Sequence, residues 1–317
     1  MSAGILSQVS LGKETTQGTA VTPTMSIPVL PCDGLSVEEE AVGVEAINTQ
    51  PAKNKDFIKG LRKYVGSIEM GLYPQSIGYV LLSALGSVSS AVKSGETNVY
   101  EHTFTENVDK PSLTLEQKVG DIVERYAGFI SSGFTVDITT GEQIKFTFEG
   151  NALSKADATA ITPTYEASKV FDWTDVQSIT LGGTDIKDVV SELSIEYANG
   201  LDVFHGLKGS SDPSKLYVAN SEVTGSITAF LDSNIQALRD VFENKTEQSL
   251  VITIKGDETI GSASNNELVI TLPMIVLNTY THKLDTGYVE VSSDIVGGLD
   301  KTNGLISIKL TNEVSAY

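Results

Sequence analysis

Val65-Gly66-Ser67-Ile68 returns later in the chain, with one change, as Thr224-Gly225-Ser226-Ile227. The two stretches lie 159 residues apart (225 minus 66). β-Branched residues are typical of strands, and a glycine inside a strand often marks a place where another backbone comes close. We therefore expect both stretches to be strands that occupy the same place in two related halves.

Further similarities occur in the same order around the two strands. Upstream, Leu35-Ser36-Val37-Glu38 corresponds to Leu193-Ser194-Ile195-Glu196 at a shift of 158 residues (193 minus 35). Downstream, residues 74–85 and 232–242 each place apolar residues at helical spacing and predict one amphipathic helix per half. The apolar faces consist of Ile77, Val80, Leu81 and Ala84 in the first helix, and of Ile235, Leu238, Val241 and Phe242 in the second.

The end of each half is predicted to be a hairpin. Residues 129–148 overlay residues 274–293 at a shift near 145 (274 minus 129), with turns expected at 139–142 and 284–287. Each half then consists of a strand, a long loop, a strand, a helix, a strand and a hairpin, as expected for a duplicated domain. The predicted division is an arm over residues 1–30, a first unit over 31–153, a linker over 154–175 and a second unit over 176–317.

Strands dominate the rest of the chain, so the predicted fold class is mainly β. Alternating or β-branched runs, such as 133–138, 191–197 and 267–272, are bounded by Gly, Asn, Asp or Ser. One helix among many strands in each half favours two tandem β-sandwich or barrel units, each with one flanking α-helix.

The charge balance limits the partners of the protein. The net charge is −19, from 22 basic and 41 acidic residues, so the surface would repel nucleic acid rather than neutralise its phosphates. An acidic surface serves solubility, or it lets DNA slide past without sticking, and the charge alone leaves both interpretations open. The sequence offers no signal peptide and no apolar run near 20 residues, which predicts synthesis in the cytoplasm and no membrane contact.

Enzyme classes find little support in the sequence. His102, His205 and His282 are far apart and share no metal-ligand spacing, and each is expected to be exposed on a strand or loop. Cys32 is the one cysteine, so an intramolecular disulfide is excluded. We expect Cys32 to be a small, half-buried residue. No nucleophile elbow, phosphate loop or dinucleotide fingerprint occurs. We therefore predict no enzyme activity, no cofactor and no metal.

Two long loops are predicted, over residues 41–64 and 198–218. The first is basic within an acidic chain and is either a solvated loop or an arm that docks on an acidic neighbouring copy. Its basic residues are Lys53, Lys55, Lys59, Arg62 and Lys63.

The segment from Gly12 to Pro23, Gly-Lys-Glu-Thr-Thr-Gln-Gly-Thr-Ala-Val-Thr-Pro, resembles the start of siphophage tail tube proteins, also called major tail proteins. These proteins carry a Gly-x-Glu-Thr-x-x-Gly-Thr-Ala arm before their first strand. The basic loop, the Gly66-Ser67-Ile68 strand and the amphipathic segment ending at 82–86 fit the same pattern. The resemblance spans most of the first half, and the duplication extends it to the second.

The resemblance implies a virion structural protein that forms stacked rings, with helices outside and a lumen for DNA ejection. Rings would contain six chains, or three chains with pseudo-sixfold symmetry, and the basic loop would make inter-ring or inter-subunit contacts. Implied partners are the protein itself, a tape measure protein, tail terminator and distal tail proteins, and DNA in transit. A secreted tube or a β-sandwich binding module is the alternative, since fold does not fix function. Lumen-facing acidic candidates are Asp137, Glu142, Glu149, Glu290 and Asp294.

Overall fold

The computed structural model describes residues 7–45, 53–230, 239, 241–282 and 289–317. Most of these residues lie in antiparallel strands, which confirms the mainly β prediction. In chain order the elements are β1 (Gln8–Lys13), β2 (Met25–Ile27), β3 (Gly34–Glu45), β4 (Asn54–Gly71), α1 (Ile77–Leu85), β5 (Gly86–Val92), β6 (Tyr100–Glu106), β7 (Leu113–Val119), β8 (Ile122–Thr139), β9 (Lys145–Ala152), β10 (Ser154–Asp157), a 3-10 turn (Trp173–Asp175), β11 (Val176–Leu181), β12 (Thr184–Asp185), a 3-10 turn (Lys187–Val189), β13 (Val190–Ala198), β14 (Asp202–Phe204), β15 (Lys215–Tyr217), β16 (Glu222–Phe230), β17 (Gln248–Ile260), β18 (Ser264–Leu277), β19 (Thr281–His282), β20 (Glu290–Gly297) and β21 (Ser307–Asn312).

One long antiparallel sheet runs through both halves of the chain. Its strands pair in the order β3–β4–β9–β8–β13–β16–β20, and the far side of β20 pairs with the end of β18 and with β19. We call this arrangement the long sheet; it has eight strand positions, because the end of β18 and β19 together occupy the last one. The first half supplies β3–β4–β9–β8 and the second supplies β13–β16–β20–β18/β19. The four strands of each half therefore follow the same order.

The two Gly-Ser strands have equivalent neighbours in the long sheet. Gly66 lies opposite Leu35, and Gly225 lies opposite Ile195. A Cβ on Gly66 would lie 2.1 Å from the carbonyl oxygen of Gly34, and a Cβ on Gly225 would lie 2.4 Å from that of Ser194. In the structure Leu35 and Ile195 therefore occupy equivalent positions, which are 160 residues apart (195 minus 35). The sequence match had instead aligned Leu35 with Leu193, at a shift of 158 residues. A difference of two residues keeps every side chain on its original face, because strands have a period of two.

Further strands form a second layer over the buried face of the long sheet. The outer strands pair as β11–β17–β18–β21–β6–β5, and β2–β1–β7 pairs with the first part of β8. Helix α1 begins where the amides of Gln75 and Ser76 donate to the carboxylate of Glu166 at 2.9 and 3.0 Å. All of its residues except Tyr79 are buried, so α1 packs inside the fold of the single chain, and helices on the outside of a ring stay a prediction. The apolar side chains of α1 pack in the core between the two layers.

A single hydrophobic core joins the two halves. The ring of Phe134 in β8 stacks on Phe146 at 5.6 Å between centroids and on Tyr197, from the second half, at 5.4 Å. Strand pairs β8–β13 and β6–β21 also connect the halves. The predicted arm contains β1 and β2, and the predicted linker contains β10. The division into two units stays a prediction.

The two predicted loops contain regular structure, which corrects the sequence interpretation. Residues 41–64 mostly belong to β3 and β4, which pair as a long hairpin, and residues 198–218 contain the β14–β15 pair. The turn at 139–142 is confirmed, with Gly141 at a φ of 89°. The turn at 284–287 and most of the helix at 232–242 lie outside the described residues, although residues 241–244 are helical.

Candidate functional site: the polar face and the basic hairpin

The long sheet has one apolar face and one polar face. Phe134, Phe148 and Ile195 lie on the apolar face and are almost completely buried. On each strand, the residues that alternate with these apolar ones point to the opposite face, because successive side chains of a strand alternate. We call the second surface the polar face.

Carboxylates dominate the polar face. One row crosses five strands from Lys145 through Asp137, Ser194 and Ser226 to Asp294. In that row the hydroxyl of Ser194 donates to Asp137 Oδ1 at 2.6 Å. The ladder registers place the acidic residues Glu38, Glu69, Asp137, Glu149, Glu192, Glu196, Glu222, Glu290 and Asp294 on this face, with Lys63 and Lys145 as its basic residues.

The structure brings four of the five acidic candidates onto this face and adds others. Asp137, Glu149, Glu290 and Asp294 lie on it, whereas Glu142 lies in the β8–β9 turn with its carboxylate 3.3 Å from Lys145. Sequence reasoning had already placed Glu38 on a solvated or lumen-facing edge, but it missed Glu69, Glu192, Glu196 and Glu222 as polar-face residues. Counting alternate positions along the strands from Ser67, Ser194 and Ser226 would have found them.

The β3–β4 pair forms a hairpin that extends beyond its neighbour β9. The pairing of β4 with β9 ends at Tyr64 and Ala152, and β4 continues ten further residues to Asn54 (64 minus 54). At about 3.3 Å per residue the extension is roughly 30 Å long. Phe57, Ile58 and Leu61 are exposed on it, with relative accessibilities of 62%, 57% and 61%. We call residues 38–45 and 53–63 the basic hairpin.

The basic residues of this hairpin fall into two groups. Lys55, Lys59 and Lys63 are exposed, and Lys53, just before β4, pairs with Glu45 at 2.9 Å. Arg62 instead binds within its own chain, to Glu39 at 2.7 Å and to Asp212 at 3.3 Å.

The β14–β15 segment clamps the base of the hairpin through Asp212. Tyr64 donates to Asp212 Oδ1 at 2.7 Å, and His205 Nε2 donates to the carbonyl of Arg62 at 2.8 Å. The hydrogen bond from Tyr64, together with Ser210 and the charge of Arg62, holds the pKa of Asp212 below its usual value. Hydrogen bonds with Tyr64 and Glu39 raise the pKa of Arg62 in turn.

The histidines do not form a site together. Contrary to the expectation of exposure, His102 is fully buried, with Nδ1 2.7 Å from Ser90 Oγ and Nε2 donating to the carbonyl of Val314 at 2.8 Å. Burial lowers its pKa. In the described part of the chain, no three His, Cys, Asp or Glu side chains are grouped to hold a metal ion. No helix among those residues is long and apolar enough to cross a membrane.

Comparison with known proteins identifies the family. The family model described as phage tail tube protein matches residues 4–291, which is most of the 317-residue chain. The chain belongs to the phage tail tube protein family. Among curated proteins, none matches the chain.

A tail tube protein is a structural component of the tail of the virion, and that is where this chain belongs. Membership confirms the resemblance found in the sequence. The polar face and the basic hairpin are two distinct surfaces of the chain. The first carries nine acidic and two basic residues among serines and threonines, and the second is a projection with exposed lysines and apolar side chains.

Proposed function

We propose that three copies of this chain close into a pseudo-sixfold ring whose joined long sheets surround a DNA-conducting lumen. The observation that carries the proposal is the repeated strand order, which gives each chain two four-stranded segments in one continuous sheet. Ring closure would remove the open sheet edges, which otherwise recruit other strands.

The size of the lumen favours three chains over six. Three chains would contribute roughly 24 strands, and strands about 4.8 Å apart with a tilt near 40° then enclose a backbone diameter of roughly 50 Å. Side chains narrow this opening to a channel that still admits a duplex. Six chains would double the diameter to roughly 100 Å, far more than a duplex requires.

The pairing inside one chain suggests how neighbouring chains meet. Thr135 of β8 lies opposite Glu196 of β13, where the two halves join. Through the repeat, Thr281 in β19 takes the place of Thr135, and Ser36 in β3 takes the place of Glu196. We infer that β19 of one chain pairs with β3 of the next and that Thr281 lies opposite Ser36.

The polar face would then line the lumen. Glu149 and Asp294 hold equivalent positions, so three chains would place six carboxylates at one level. Such a surface repels phosphates and lets DNA pass during ejection without sequence-specific binding. This purely structural role needs neither a cofactor nor catalysis.

Stacking of rings would complete a non-contractile, siphovirus-type tube. The basic hairpin reaches far enough to contact an adjacent ring, and Lys53, Lys55, Lys59 and Lys63 are its candidate contacts. A tape measure protein inside the tube, and terminator and distal tail proteins at its ends, would be the further partners.

Electron microscopy combined with mass measurement tests this proposal. Purified protein should form stacked rings with a central channel, and a single ring should have the mass of three chains. A protein that stays monomeric at high concentration, or rings with the mass of six chains, would overturn it.

A further inference from the structure

A polar pocket opens where the Trp173–Asp175 turn, β17 and β18 meet. Its volume is about 370 Å³, and Phe171, Gly256 and Asn266 form part of its wall. Gly256 has no side chain to fill it, and a Cβ there would lie 3.4 Å from Phe171 Cε1. We call this pocket the socket.

An unpaired acceptor lies in the wall of the socket. Asn266 is 4% exposed, and its Oδ1 is the one buried side-chain oxygen or nitrogen without a hydrogen-bond partner among the described residues. A buried acceptor left unsatisfied costs about 1–3 kcal/mol. The unpaired oxygen of Asn266 therefore indicates a ligand that donates hydrogen bonds.

Carboxylates around the socket favour a cationic donor. Asp172, Asp175, Asp257 and Glu258 line it, against two basic residues, Lys169 and Lys255. Burial raises the pKa of Asp175, and the charges of Asp172 and Asp257 raise it further. The ammonium of Lys169 is 3.3 Å from Asp257, but both side chains are largely exposed. A positive group inside the socket would relieve the repulsion between these carboxylates.

The socket and the tip of the basic hairpin lie at opposite ends of β4. The tip end begins at Asn54, whereas at the other end Gly71 pairs with Lys145, and Phe171 donates its amide to the carbonyl of Leu72. Eighteen residues of strand separate the ends by roughly 55 Å. When rings stack head to tail, the hairpin of one ring faces the socket end of the next.

We propose that the socket receives a lysine ammonium, from Lys55 or Lys59, of the basic hairpin of a copy in the adjacent ring. The inference rests on the proposed tube and names the contact that stacks its rings. Both lysines are exposed, and a lysine stem can reach into a pocket while its three N–H groups satisfy Asn266 Oδ1 and a carboxylate.

Charge reversal separates stacking from ring formation. Lys55→Glu combined with Lys59→Glu should leave rings of unchanged mass but abolish tubes in electron micrographs. A control that reverses Lys301 and Lys309, which are exposed outside the basic hairpin, the β14–β15 segment and the socket, should form tubes like the original protein. Adding Asp257→Lys and Glu258→Lys to the hairpin variant should restore tubes. Tubes of ordinary length from the hairpin variant would overturn the inference while leaving the ring proposal standing.

Three further measurements decide the case if the reversed variant loses its rings. Gly256→Leu, which fills the socket without changing charge, should give rings without tubes. In tubes of Cys32→Ser protein, Lys55→Cys or Lys59→Cys combined with Asp257→Cys should give a disulfide between chains. The absence of this disulfide in well-formed tubes would contradict the contact. Calcium binding to isolated rings that Gly256→Leu abolishes, with stacking intact, would make the socket an ion site and also overturn the inference.

Discussion

Glu149 and Asp294 occupy the same place in the two halves of the chain. Glu149 lies opposite Ser67, Asp294 lies opposite Ser226, and each serine follows the glycine of a Gly-Ser pair. Both carboxylates are exposed on the polar face. This equivalence gives the proposed ring six similar positions from three chains.

Reversing this pair of charges tests the lumen directly. With Glu149→Lys and Asp294→Lys, assembled tubes should retain duplex DNA, because six ammonium groups at one level would neutralise phosphates. Co-sedimentation of labelled duplex with tubes at low and high salt measures this, and binding should weaken steeply as salt rises. The unchanged protein should bind no DNA at either salt. Equal binding by both proteins would contradict a polar face that lines the channel.

The close approach at Gly66 predicts a large cost for any side chain there. Gly66→Ala should lower the free energy of unfolding by about 2–4 kcal/mol, because the new Cβ collides with the backbone of β3. Denaturant unfolding measures the loss. Gly206→Ala is the matched control, since the closest atom to its Cβ is the side-chain oxygen of Ser214 at 3.2 Å rather than a backbone atom at 2.1 Å. Equal stability of the two variants would disprove the steric role of Gly66.

The mainly β class can be predicted from the sequence, because the Gly-Ser stretches and the apolar alternation around them identify strands. The ends of β3 and β4 were missed because both faces of the hairpin are exposed and its charged residues hide the strand pattern. The buried position of α1 was missed because helical periodicity identifies an apolar face but not how many layers cover the helix.

The candidate site is only partly predictable. Alternation along the strands determines which carboxylates share a face, so the polar face was within reach of the sequence. The clamp on Arg62 was not, because Asp212 is 150 residues away and only the tertiary fold brings them together. The unpaired oxygen of Asn266 could not be predicted either, because it results from the burial of this side chain in the folded chain.

The clamp on Arg62 predicts a local effect on the basic hairpin. Arg62→Ala should lower stability by about 1 kcal/mol, because its charge-assisted bonds are partly exposed. Hydrogen exchange should accelerate in β3 and β4 near Glu39, with the core strands unchanged. Lys59→Ala, on the same strand but without such partners in the described structure, is the control. Exchange that is equally fast in both variants would contradict the clamp.

The half-buried carboxyl of Glu166 predicts a pH dependence of stability. Burial raises its pKa above the unfolded value, so the folded state holds this proton more tightly. Its contribution is fully present below the unfolded pKa, about 4.5, and is lost as pH rises through the folded pKa. Glu166→Gln should therefore flatten the fall in Tm above about pH 4.5, as measured by thermal melts across pH. Glu247→Gln, an exposed control, should follow the original curve, and identical curves for all three proteins would refute the linkage.

Disulfide cross-linking of Ser36→Cys with Thr281→Cys tests the three-chain ring most directly. Cys32 is exposed rather than half-buried as expected from sequence, so it is first replaced by serine. Each single-cysteine variant should give at most a covalent dimer. On oxidation of assembled rings, the double variant should give a ladder on a denaturing gel that ends at three chains. A ladder that continues to six chains, or no cross-link in well-formed rings, would contradict the account.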